Sequence, residues 1–258
     1  FQNNNKVHVM RTSNKFNTIV LHRVIDGEAI EFIDIDLKSL KFILSKFDFN
    51  FLSIEKAYAE NHHERPNICL TFDDGFSSDY YLVLPELKKF DATATFFIVT
   101  DLLDTPGYLR TEQVKSLSES GMQIGSHSKS HPNFLELNAC ERMEELCESK
   151  VILEKIIGKE VTTFSFPFGF YDDDCTQAVF SAGYSICCTS KHGVASNTSF
   201  IVPRNSINAK TSIRRIEKTL HSGFFQLFFW KVEDIVKAIL KRSSPKLYVS
   251  LRNLFSCL

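Results

Sequence analysis

Apolar residues along this chain fall into short blocks that switch between two rhythms. Phe16–Val24 (FNTIVLHRV), Ile68–Phe72 (ICLTF) and Ala92–Thr100 (ATATFFIVT) are apolar runs of the length expected of buried strands. Met122–Gly125, Thr162–Phe166, Tyr184–Cys188 and Phe200–Pro203 are expected to add four more. Between them lies helical spacing. In Asp34–Phe47 the apolar positions Leu37, Leu40, Ile43, Leu44 and Phe47 recur every three or four residues, with aspartate nearby to cap. Further helices are predicted over Tyr80–Phe90, capped by Ser77 or Ser78 and kinked or started late by Pro85, and over Thr111–Ser120, Leu137–Ile157, Asp174–Ala182 and Thr211–His221. Gly121, Gly158 and Gly183 mark three of the helix ends. Strand and helix trading places in this way predicts repeated βα units around a parallel sheet or barrel.

The same pattern divides the chain into a polar lead-in over 1–15, a βα domain over 16–223 and a tail over 224–258. The tail is aromatic at first and then basic, with Lys231, Lys237, Lys241, Arg242, Lys246 and Arg252. It fits either a solvated helix pair packed on the domain or an amphipathic surface making peripheral contact with a membrane. With 258 residues the chain can bury a substantial core, to which its 24 Phe contribute. A net charge of −1 leaves no electrostatic footprint for nucleic acid. Seven scattered cysteines, with Cys187 and Cys188 adjacent, fit reduced thiols better than a disulfide framework. No run of 18 apolar residues and no secretory signal is present, although the chain begins at Phe1 and leaves an upstream segment open. The expectation is a cytoplasmic protein, with association of the tail with the inner face of the membrane as the alternative to a tail packed on the domain.

In a βα fold, chemistry sits at the C-terminal ends of the strands. The run ICLTFDDGF places Asp73 and Asp74 at such an end. Taken alone, an Asp-Gly pair is also an ordinary surface turn. Further along, GSHSKSHPNF places His127 and His131 four residues apart after the next-but-one strand. Two imidazoles and one carboxylate can hold a divalent ion with a position left open for water. A second, adjacent aspartate is then free to act as a base.

The ordered set TFDDG, HSKSHP and a strand running into PFG resembles the polysaccharide deacetylase family, the NodB-homology proteins, over roughly residues 16–207. The resemblance implies a distorted (β/α) barrel of about seven parallel strands. It implies a hydrolase in which Asp73 is the base and Asp74, His127 and His131 hold one divalent ion, zinc first, with cobalt, nickel, iron or manganese as alternatives. It implies that Ser128 supports the histidine loop and that Pro167, Phe168 and Gly169 shape a wall of the substrate groove, where Phe168, Phe170 and Tyr171 could stack on sugar faces.

Two departures stand out. The family's Arg that orients the base is replaced by Ser165, and its Leu-x-His motif, which supplies a general acid, has no counterpart. His22, at the end of the first strand, is a candidate for the acid, or else a packed or surface histidine. Arg204 is a candidate for electrostatic support of the carboxylates or the oxyanion, or else a surface or cap residue. His192 is expected to take no part, and His62 and His63 to be solvated. The expected activity is removal of N-acetyl groups from an amino sugar in a cell-envelope polysaccharide, oligosaccharide or glycolipid precursor. The alternatives are a non-catalytic carbohydrate-binding protein of the same fold, or a hydrolase of another C–N amide bond.

Overall fold

Seven parallel strands follow one another in chain order around a barrel-like sheet in the computed structural model. They are β1 (Lys15–Leu21), β2 (Asn67–Phe72), β3 (Thr95–Ile98), β4 (Gln123–Ser126), β5 (Thr163–Ser165), β6 (Ile186–Cys188) and β7 (Ile201–Val202). Each pairs in parallel with the next. After β7 the chain passes through Pro203 and Arg204 into the short strand Asn205–Ser206, which pairs in parallel with β1, Ile19 opposite Asn205. That step nearly closes the sheet, and it leaves Arg204 on the seam. The expected barrel of about seven parallel strands is the observed one. Two further strands widen the sheet: Asn50–Leu52 beside β2, and Val194–Ser196 antiparallel to β1. The structure describes residues 15–59 and 65–221 with Trp230, Val232, Asp234 and Ile235. The lead-in before Lys15, His62, His63 and most of the tail therefore lie outside the described residues.

The strands read as continuous apolar runs because both of their faces are covered. Every residue of β2 is buried, as expected of a parallel strand between a filled interior and a helical outer layer. Phe72, Phe96, Phe97, Phe134, Phe164 and Phe166 are fully buried, each contributing about 1.5–3 kcal/mol by leaving water. The helices are α1 (Leu37–Leu44), α2 (Ile54–Ala59), α3 (Leu84–Lys89), α4 (Thr111–Glu119), α5 (Ala139–Ile157), α6 (Asp173–Ser181) and α7 (Ile213–His221). No helix among the described residues is long and apolar enough to cross a membrane.

Three helix expectations need correction. The first helix ends at Leu44, leaving Phe47 on the surface at 74% exposure. The long helix starts at Ala139, not Leu137, because the Asn138 side chain accepts from the Cys140 and Glu141 amides while Glu141 returns a bond to the Asn138 amide. The segment over Tyr80–Phe90 is two elements, a π-helical turn Asp79–Val83 and then α3. Pro85 therefore sits in the first turn of α3, where a missing N–H costs nothing. Ser78 caps neither element; its Oγ accepts from the Val24 amide at 3.2 Å.

Candidate active site

The chain leaves β2 at Phe72 and turns sharply. Asp73 still donates its amide to the Leu21 carbonyl, but Asp74 and Gly75 take φ of 76° and 77°. Aspartate tolerates this left-handed region better than most side chains. The turn overrides the alternation of an extended strand, so both carboxylates face one pocket. His127, directly after β4, brings its Nε2 to 3.5 Å from Asp74 Oδ1 and 3.8 Å from Asp73 Oδ2. His131 Nε2 lies 3.4 Å from Asp74 Oδ1.

One ligand atom from each of Asp74, His127 and His131 can be chosen so that all lie within 4.8 Å of one another. Donors about 2.1 Å from a tetrahedral ion stand about 3.4 Å apart, close to the spacing of Asp74 from either histidine. The protonation chemistry fits as well. His127 Nδ1 is 2.7 Å from the Ser165 carbonyl, which can only accept, so Nδ1 carries the proton and the Nε2 lone pair faces the pocket. Burial lowers the His127 pKa to about 4, more than the nearby carboxylates raise it. Burial pushes Asp74 upward, yet its hydrogen bond with His131 and the charges of His22, His127 and His131 hold it well below the usual carboxylate range. The residues present suit a divalent cation.

The loop joining the two histidines is held by side chains, one for each backbone N–H. The Ser128 amide donates to Ser126 Oγ, the Lys129 and Ser130 amides to Glu145 Oε2, and the His131 amide to Ser128 Oγ. Ser128 and His131 have φ of 70° and 63°, so the loop needs such anchoring.

Asp73 is held from the seam of the barrel. Arg204 places Nη1 and Nη2 each 2.7 Å from one oxygen of Asp73. Its other N–H groups reach Thr71 Oγ1 at 3.1 Å, Ser165 Oγ at 2.7 Å and the Thr189 carbonyl at 3.3 Å, so all five donors are used. Burial raises the pKa of Asp73, but the charge of Arg204, assisted by His127, outweighs it and the pKa falls.

The remaining residues singled out by sequence separate into three groups. Phe168 is on the rim: 54% exposed, φ 56°, its ring 4.5 Å from that of His131. Ser128 and Pro167 are buried and shape their loops from beneath, and Gly169 is fixed by crowding, since a Cβ there would lie 1.6 Å from Ser190 Oγ. Tyr171 stacks on Phe166 at 5.0 Å and carries Lys191 Nζ over its ring. His22 is half-buried after β1, and its charge lowers both Asp73 and Asp74. His192 lies apart, paired with Asp234 at 2.7 Å and stacked on Trp230. Three contributors had no reading from sequence. Thr71 shares a strand face with Asp73, and Glu145 shares a helix face with Ser149 at i, i+4; those spacings were the available signal. Asp79 is fully buried, and neither of its oxygens has a hydrogen-bond partner among the described residues.

Residues 60–187 match the model of the polysaccharide deacetylase family. The chain belongs to that family. It is 31% identical over 132 residues to the peptidoglycan-N-acetylmuramic acid deacetylase PdaA of Bacillus subtilis (strain 168), covering 50% of this chain and 45% of that protein. It is 30% identical over 122 residues to a peptidoglycan-N-acetylglucosamine deacetylase of Bacillus cereus, covering 46% of this chain and 43% of that one. The chain thus spans under half the length of these curated relatives. The solved structure of the Streptococcus pyogenes deacetylase PplD in complex with acetate shares the fold, with a TM-score of 0.73 and 24% identity over 81% of this chain and 99% of that one.

Proposed function

We propose that this polysaccharide deacetylase family member hydrolyses the N-acetyl group of an amino sugar in a cell-envelope glycan or glycolipid precursor, using a divalent ion, zinc first, held by Asp74, His127 and His131. The observation that carries the reading is the division of labour between two adjacent carboxylates. Asp74 faces the imidazoles, while Asp73 accepts one short bond on each oxygen from Arg204. The amino-sugar names of PdaA and the Bacillus cereus relative support the substrate class.

A divalent ion at that site would supply Lewis acidity toward the amide carbonyl and toward water. Asp73 is placed to take the proton of the attacking water. Arg204 keeps it anionic before each turnover, and a carboxyl with a lowered pKa is a stronger acid once protonated. Asp73 can therefore pass the same proton to the departing amine, so that the missing Leu-x-His need not stop turnover. His22 is the second candidate for that donation, from the end of β1. Phe168 offers an exposed ring to a sugar face, with Tyr171 as backing. A role in binding alone would leave the two-pronged grip of Arg204 on Asp73 without a use.

The test combines metal analysis with acetate release from N-acetylated amino-sugar oligosaccharides. His131→Ala is expected to lose the ion, and Asp73→Asn to keep it while losing acetate release. Wild-type protein that takes up neither zinc, cobalt nor nickel would sink the reading.

A further inference from the structure

Glu145 lies on α5, outside the ligand set, and among the described residues every polar contact of its side chain goes to the loop between the two histidines. Oε2 accepts from the Lys129 and Ser130 amides, each at 2.8 Å, and Oε1 accepts from Ser130 Oγ at 2.6 Å. One turn further along α5, Ser149 Oγ lies 2.8 Å from Ser126 Oγ, the atom that accepts the Ser128 amide. Its neighbours on the helix behave differently: Glu144 and Glu148 pair with the ammonium group of Lys129, at 3.4 and 2.7 Å. Glu145 therefore fixes backbone, whereas Glu144 and Glu148 fix a flexible side chain.

We infer that Glu145 is a positioning residue for the metal centre, setting the separation and orientation of His127 and His131 by clamping the two amides between them. The inference rests on the metal site proposed above. A loop with two left-handed non-glycine residues has a low-energy alternative, and a carboxylate accepting two consecutive N–H groups holds it against relaxing. Partners that orient ligands without touching the ion typically contribute 10–100-fold to metal affinity.

The experiment is a Co²⁺ titration of metal-free protein against a competing chelator, with the d–d absorption spectrum recorded and the metal-free thermal midpoint measured alongside. Glu145→Ala, which keeps a good helix former on α5, is expected to weaken Co²⁺ binding about tenfold or more and to change the d–d spectrum, with little change in the metal-free midpoint. Glu145→Gln should recover most of the affinity, because its amide oxygen can still accept both N–H groups. Glu148→Ala should match wild type. Should Glu145→Ala fail to fold, Ser130→Ala, which removes one of the three bonds from an exposed position, is expected to show a smaller loss of affinity. Wild-type affinity and spectrum in Glu145→Ala, or in Ser130→Ala where that variant decides, overturn the inference. Wild-type protein that binds no Co²⁺ fails earlier, at the metal site itself.

Discussion

Asp73 and Asp79 belong to one short segment, and both are removed from solvent, at 2% and 0% exposure. Burial pushes both carboxyls toward the neutral form, and there the likeness ends. Asp73 meets the guanidinium of Arg204 at the barrel seam, and its pKa falls. Asp79 meets no donor among the described residues; the charges of Asp74 and Asp73 add to burial, and its pKa rises well above the usual range. Desolvation is common to the two, so the partner decides the sign. The base role proposed for Asp73 therefore depends on Arg204, which keeps its buried carboxyl ionised.

The hardest way to break the comparison is to make Asp73 resemble Asp79. Arg204→Met leaves Asp73 buried with no cation, a change that typically costs about 3–5 kcal/mol. Acetate release is expected to fall about 10²–10⁴-fold, the range for losing a general base. Urea denaturation of Arg204→Met beside the double variant Asp73→Asn/Arg204→Met checks this. The double variant removes both charges and should regain much of the lost stability while remaining inactive. A single variant that unfolds at the wild-type midpoint would show that the pair does not stabilise the fold.

Different parts of this comparison were open to sequence in different degrees. Strands covered on both faces leave continuous apolar runs, so β2, β3 and β5 could be placed and, with β4 between them, the loops after β2 and β4 that carry Asp73, Asp74, His127 and His131. Arg204 could be named as a candidate but not paired, because it lies 131 residues from Asp73 and meets it only when the barrel closes at its seam. Ser165 read as a loss; in the structure its small side chain leaves room for Arg204 and accepts one of its bonds. Asp79 had no signal in the sequence, since the π-helical turn that buries it has no periodic signature. Glu145 is one of several acids on the same helix, and nothing in the sequence separates it from the exposed Glu144 and Glu148.

Removing the charge of Asp79 should have a smaller effect, with a pH signature. Its folded pKa is above the unfolded value of about 3.9. Well below pH 4 the carboxyl is neutral in both states and costs nothing, and near pH 4, where only the unfolded chain is about half ionised, it costs little. As pH rises, the unfolded chain ionises first, so stability falls by about 1.4 kcal/mol per unit until native Asp79 ionises too. Asp79→Asn cannot ionise. Urea midpoints measured from pH 4 to 8 should therefore show the variant close to wild type at the acid end and increasingly ahead of it as pH rises. A gap that is constant with pH, or one that favours wild type at the alkaline end, would mean that Asp79 has found a compensating partner.

The smallest change trims the grip on Asp73 without abolishing it. Ser165→Ala removes the acceptor of one Arg204 N–H and a weak 3.4 Å bond to Asp73 Oδ2, while the two short bonds from Arg204 to Asp73 remain. One orphaned donor of a buried guanidinium should cost about 1–3 kcal/mol. His127 is bonded to the backbone carbonyl of Ser165, which the substitution keeps, so metal uptake should not change. Stability and acetate release should both fall less than in Arg204→Met, with the metal content at the wild-type level. If Ser165→Ala were as damaging as Arg204→Met, the pKa of Asp73 would depend on the orientation of the guanidinium as much as on its charge, and Ser165 would be part of what separates Asp73 from Asp79.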